Sequence, residues 1–273
     1  MTTLLEVKDL VVEYPVKGWR TPAFRAVDGV SFALEAGRTL GVVGESGSGK
    51  STIGRSILGL APVTSGSVSF EGRDLARLDR ATRRSIAKEI QVVFQDPYSS
   101  LNPSMTIGEI LREPLDVHFQ DLGRSDAHQR ITELLDLVRL PSDAVSRLPH
   151  EFSGGQRQRI AIARALALRP RLVICDEPVS ALDLTTQVHV LELFYEIQRE
   201  TGVSYLFVTH DLDVVRHICH DVLVMRAGKA VEQGETMQIV SDPENDYTRR
   251  LLLSSPSADP DEQRERREQL ASL

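Results

Sequence analysis

Apolar and polar residues alternate through most of the first forty positions, as in Leu5-Glu6-Val7-Lys8-Asp9-Leu10-Val11-Val12. That is the two-residue period of a half-buried strand. Together with Gly66-Ser67-Val68-Ser69-Phe70 it predicts a small antiparallel sheet. Elsewhere the strands read as continuous apolar runs, Thr39-Leu40-Gly41-Val42-Val43, Leu172-Val173-Ile174-Cys175 and Tyr205-Leu206-Phe207-Val208, which fit strands covered on both faces. From Arg171 to about Gly234 such runs alternate with helical stretches, the order a parallel α/β sheet requires. Between about 98 and 165 the period is helical, most clearly over Ser125 to Leu140, where Ile131, Leu134, Leu135 and Val138 share one face. A further helix is expected from Lys50 to about Leu60. Residues 254–273 mix Ser, Pro and charges, as in Asp261-Glu262-Gln263-Arg264-Glu265-Arg266-Arg267-Glu268, and read as a poorly ordered tail or a solvated helix.

Composition narrows the class. A chain of 273 residues with 41% hydrophobic content can bury a substantial core. No run approaches the roughly 18 apolar residues of a membrane span, and the start lacks a signal peptide's basic and apolar regions, so a cytosolic chain is expected. Its two cysteines, Cys175 and Cys219, have no metal-ligand spacing, and Cys175 reads as a small core residue. A net charge of −7 argues against a broad nucleic-acid surface.

Candidate chemistry begins at Gly44-Glu45-Ser46-Gly47-Ser48-Gly49-Lys50-Ser51, which fits the phosphate-binding pattern G-x-x-x-x-G-K-[ST] and follows the predicted strand ending at Val43. Glycines let the backbone turn its N–H groups onto phosphate oxygens, and the helix starting near Lys50 adds its positive end. This points to ATP or a similar triphosphate. Lys50 is expected to reach the β- and γ-phosphates and Thr52 to add a contact. The Ser51 hydroxyl is expected to ligate magnesium (Mg2+), which prefers hard oxygens.

A second motif, Phe152-Ser153-Gly154-Gly155-Gln156, precedes the helical run Arg157 to Leu166. Here the chain resembles the ATP-binding cassette (ABC) ATPases, whose signature is usually Leu-Ser-Gly-Gly-Gln. Phe152 departs from it while staying apolar. Ser153 is a natural helix N-cap. The resemblance implies an α/β fold over 1–253: a P-loop NTPase ABC cassette with a RecA-like parallel-sheet core, an N-terminal antiparallel β-subdomain and an inserted α-helical subdomain at about 98–165. It orders the remaining stations. Val92-Val93-Phe94-Gln95 reads as a strand ending in Gln95, whose amide would touch the magnesium shell and the attacking water. Leu172 to Glu177 reads as a strand carrying two carboxylates to opposite faces, Asp176 for magnesium and Glu177 as general base. Ser180-Ala181-Leu182-Asp183 matches the D-loop at a dimer seam, and His210 would contact the γ-phosphate. Tyr14 is expected to stack on adenine, with Trp19 as the other candidate.

In this family Ser153, Gly154, Gly155 and Gln156 would face the ATP of the opposite subunit, so two cassettes must close head to tail. Within the superfamily the chain is most similar to ATPase subunits of peptide and nickel importers. The similarity lies at Val42 to Ser51, at Val93 to Pro103, and at Asp242-Pro243 with Tyr247-Thr248-Arg249-Arg250-Leu251-Leu252, which resembles their short C-terminal motif although Asp246 stands before Tyr247. That resemblance implies a second ABC ATPase subunit, identical or different, two transmembrane permease subunits, an extracytoplasmic solute-binding protein reached indirectly, and a place on the cytoplasmic face of the membrane. No nucleic acid is expected as a partner. The solute, a peptide, nickel or another small molecule, stays open because the cassette never touches it. The soluble ATPase of a phosphonate lyase complex shares these segments and is the alternative.

Overall fold

The computed structural model describes residues 2–254, apart from 17, 19–21, 77 and 120, together with residue 264. Trp19 and the rest of the tail beyond 254 therefore lie outside the described residues. The described residues form two compact units, one within 1–78 and from 206 onward, the other within 79–205.

The first unit opens with β1 (Thr3–Tyr14) and β2 (Phe24–Glu35), paired antiparallel from Thr3↔Glu35 to Tyr14↔Phe24. Leu5, Val7, Leu10 and Val12 are each at most 1% exposed, and the alternation slips at Asp9, whose φ of 47° accompanies a bulge between Val7 and Leu10. Next come β3 (Thr39–Val43), buried throughout, and α1 (Lys50–Ile57). That helix stops short of the expected Leu60 because Gly59 takes a φ of 70° and the N–H groups of Leu60 and Ala61 both turn back to Arg55 O. β4 (Ser65–Phe70) and β5 (Arg73–Asp74) complete an antiparallel sheet in the order β2-β1-β4-β5, as the alternation predicts.

In the second unit α2 (Arg80–Glu89) starts at Asp79, whose carboxylate accepts from Thr82 N at 2.7 Å. β6 (Ile90–Val93), α3 (Pro97–Ser100), α4 (Ile107–His118) and α5 (Arg124–Leu137) follow. After two short 3₁₀ turns come α6 (Gly154–Leu166), β7 (Leu172–Asp176) and α7 (Leu184–Thr201). The apolar face read from Ile131, Leu134, Leu135 and Val138 is buried. From the same helix, Arg130 donates to Leu166 O and Ala167 O, placing a guanidinium at the negative end of α6. β6 and β7 are parallel, Ile90↔Leu172 through Val93↔Cys175, and Cys175 is wholly buried.

Beyond β8 (Ser204–Thr209) the chain belongs to the first unit again, with α8 (Leu212–Ile218), β9 (Asp221–Arg226), β10 (Lys229–Glu235), α9 (Thr236–Ser241) and α10 (Asp246–Ser254). β9 runs parallel to β3, pairing Val43 with Val224, and β10 returns antiparallel to β9. Val43, Leu212, Val215, Val222, Val224, Ile239 and Tyr247 pack into one cluster, so α10 shares a core with β3.

Candidate functional site

In the first unit two glycines of the loop after β3 leave no room for a side chain. Gly44 has a φ of 149°, and a Cβ there would stand 2.1 Å from Met225 O. At Gly49, with φ 104°, a Cβ would meet Ala26 O at 2.4 Å. Lys50 is only 4% exposed and folds back, its Nζ donating to Gly44 O at 2.7 Å and to Glu45 O at 2.9 Å. Ser51 and Thr52 occupy the first turn of α1, where the helix presents unsatisfied N–H groups. The Ser48 hydroxyl is buried with no hydrogen-bond partner among the described residues, an orphan that a phosphate oxygen would satisfy. Ser46 and Gly47 are exposed at the bend, and the Glu45 N–H donates to Tyr247 Oη at 3.1 Å. Sequence reasoning reached Tyr247 as part of a motif but gave it no contact.

Tyr14 closes β1, half-buried, directly across from Phe24, which is 58% exposed. Phe24 was not singled out from the sequence, although an aromatic at the mouth of a strand pair is the signal that could have found it. His210 lies exposed just after Thr209, the last residue of β8, rather than within the strand. Asp211 then caps α8 by accepting from Asp213 N at 2.8 Å.

The second unit holds the carboxylates. β7 ends at Asp176, and Glu177 stands beyond it with a φ of 48°. The expectation that a continuing strand sends the two carboxylates to opposite faces is therefore corrected: the left-handed backbone of Glu177, not strand alternation, sets its direction. A second correction concerns Gln95, which sits two residues past the end of β6 because that strand pairs with β7 only as far as Val93. Its Nε2 donates to Glu177 Oε2 at 3.1 Å and to Ser180 Oγ at 3.4 Å, while Ser180 Oγ donates to Glu177 O at 3.1 Å. The structure thus gathers Gln95, Glu177 and Ser180 into one polar group.

In the same unit Ser153 caps α6. Its Oγ accepts from Gln156 N at 3.3 Å and its own N–H donates to Gln156 Oε1 at 2.9 Å, so the Gln156 side chain serves this cap. Gly155 is pressed against α7, where a Cβ would lie 2.4 Å from Thr186 Cγ2. Asp183 caps α7 by accepting from Thr186 N and Oγ1 at 3.0 and 2.7 Å. These two bonds, the hydroxyl's foremost, hold the Asp183 carboxyl below the ordinary aspartate range. Tyr98 Oη approaches Gly154, and the Arg157 guanidinium lies 4.3 Å from the Tyr98 ring centroid. Phe152 is 4% exposed beneath Arg147, so the larger aromatic keeps the packing role expected of it.

Residues 27–180 match the family model described as ABC transporter. The chain is 48% identical over 273 residues to the oligopeptide transport ATP-binding protein OppF of Salmonella typhimurium, covering 98% of this chain and 82% of that protein. It is 47% identical to the dipeptide transport ATP-binding protein DppF of Escherichia coli, covering 96% and 79%. Among solved structures it resembles cbiO1 from Clostridium perfringens, part of the ABC transporter complex cbiONQ, with a TM-score of 0.78, 25% identity and coverage of 89% and 93%. It also resembles the dimeric post-hydrolysis state of the ATP-binding cassette MJ0796 bound to ADP and Pi, with a TM-score of 0.76, 28% identity and coverage of 85% and 99%.

Proposed function

The chain belongs to the ABC transporter family, and on that premise we propose that it is the ATP-binding and ATP-hydrolysing subunit of an importer for peptides or a related small solute. What carries the reading is likeness to peptide-transport ATP-binding proteins over nearly the whole chain. Those relatives do not favour the phosphonate lyase alternative.

In this reading the loop from Gly44 to Thr52 wraps the phosphates of ATP, with Lys50 released from the Gly44 and Glu45 carbonyls to meet them. Tyr14 offers its ring to adenine. Ser51, Gln95 and Asp176 supply hydroxyl, amide and carboxylate oxygens, a hard donor set that suits magnesium. That ion would neutralise charge on the phosphates. Glu177 takes the proton of the attacking water as general base, a role worth roughly 10²–10⁴-fold in rate. Gln95, by donating to Glu177 Oε2, orients that carboxylate and leaves its own Oε1 for the metal. His210 serves the γ-phosphate, and Ser153, Gly154, Gly155 and Gln156 face the ATP of a second cassette, with Asp183 at the seam. Binding would favour the closed pair and hydrolysis would release it, a population shift set by the γ-phosphate.

No helix among the described residues is long and apolar enough to cross a membrane. The chain would reach the cytoplasmic face through two permease subunits. Mass spectrometry of what copurifies with the tagged chain from solubilised membranes of its native cell tests this. Two permeases with a sister ATPase are expected, and a peptide-binding protein found with them would name the solute class. Recovery with soluble lyase-type partners alone would overturn the importer reading.

A further inference from the structure

The C-terminal motif plays no part in the proposed chemistry, yet it touches the nucleotide loop. We propose that Tyr247 is a positioning residue for ATP binding: its phenol pins the first bend of the phosphate loop through the Glu45 N–H, and α10 thereby holds the loop in its binding shape. The proposal rests on reading Gly44 to Thr52 as an ATP loop.

The loop needs such a pin. Glu45, Ser46 and Gly47 are exposed, so side-chain packing does not fix the bend that follows Gly44. That bend is also held by Ser48 N donating to Glu45 O at 3.2 Å and by the two bonds from Lys50 Nζ. Lys50 must turn toward phosphates when they arrive, which weakens its hold on the Gly44 and Glu45 carbonyls. The Tyr247 bond uses the Glu45 N–H rather than a carbonyl that Lys50 holds, so the arrival of phosphates requires no release of it.

Tyr247 is held firmly enough to serve. Its ring is 6% exposed and packs in the cluster that contains Val43, the residue before Gly44, while the Arg226 guanidinium lies 4.9 Å from its centroid. Its N–H donates to Asn245 Oδ1 at 2.9 Å, and Asn245 Nδ2 donates to Val231 O at 3.3 Å. Glu232 accepts from the N–H groups of Glu244 and Asn245, and Arg249 Nη2 donates to Pro243 O. The turn that presents the phenol is thus tied to β10 at several points. A buried tyrosine hydroxyl wants a partner in any case. What distinguishes a pin from mere satisfaction is its effect on the loop.

Tyr247→Phe keeps the ring and deletes the bond. A neutral hydrogen bond of ordinary strength then predicts MgATP binding weakened roughly threefold to tenfold, because the loop spends less time in its competent shape. KM for ATP should rise by a similar factor with kcat at saturation retained, since Tyr247 touches no reacting atom. In the nucleotide-free chain, hydrogen exchange across 43–49 should quicken. An unchanged Kd overturns the proposal even if the variant melts earlier. Failure of the unaltered chain to bind MgATP overturns both the proposal and the ATP reading, whereas normal binding by both chains overturns the pin alone. Should Tyr247→Phe not fold, the unaltered chain still decides, because coupling is reciprocal and MgATP should slow exchange across 246–254. No slowing there overturns it.

Discussion

Glu177 combines the proposed base with a backbone in the left-handed region, where a side chain other than glycine is strained. Two substitutions separate these properties. Glu177→Gln should keep the loop and ATP binding while turnover falls roughly 10²–10⁴-fold, read by phosphate release beside a nucleotide-binding titration. Glu177→Gly should abolish turnover yet melt above Glu177→Ala, which loses the same bond to Gln95 but keeps a Cβ, and a lower melting point than the alanine variant would show that the φ of 48° is unstrained. Gly44→Ala has no such gain available. With backbone oxygen 2.1 Å from the new methyl, it should destabilise the protein by about 2–4 kcal/mol and remove MgATP binding, measured by denaturant unfolding and calorimetry. These glycines were legible in the sequence because a phosphate loop declares its own backbone. The direction of the Glu177 side chain was not, since strand alternation says nothing once φ turns positive.

Among elements, the contact of α6 with α7 is the one most open to test. Gly155→Ala should cost about 1–3 kcal/mol through collision with Thr186 Cγ2, and Thr186→Ser, which removes that methyl and keeps the hydroxyl bonded to Asp183, should restore most of it. Equal melting of the single and double variants would rule the collision out. Helix caps also set an acid limit. Asp79, Asp183 and Glu109 are held below their ordinary values of 3.8 and 4.5, chiefly by the Thr82 N–H, the Thr186 hydroxyl and the Thr106 N–H respectively. A carboxyl whose folded pKa is depressed adds stability above its unfolded value and loses it as pH falls through the folded one. Helicity should therefore hold at neutral pH and decline below about pH 4, and Asp183→Asn, which still caps, should blunt that decline in an acid titration by circular dichroism. α2 escaped the sequence reading because Ile86 is its one buried side chain among those described, leaving little periodicity and only Asp79 as a starting signal. The reading also ran β6 on to Gln95. Phe94 continues the apolar run, but it is 43% exposed, and β7 offers no partner past Cys175.

For the molecule as a whole, Glu177→Gln should pair with itself or with a sister cassette when ATP and magnesium are in excess, seen as a doubled mass in gel filtration. A chain that stays monomeric even with its sister present would refute head-to-tail closure. What is local or ordered along the chain is legible from its residues alone: the phosphate loop, the Ser153 cap, the strand periods, and the succession of motifs that marks an ABC cassette. Such features follow from backbone preferences within a few residues, so neighbours in sequence suffice to express them. The tertiary structure alone decided that Gln95 meets Glu177 across 82 positions and that Tyr247 meets Glu45 across 202. A hydrogen bond between distant segments depends on where the packed core brings each strand and helix to an end, and no local pattern encodes that place.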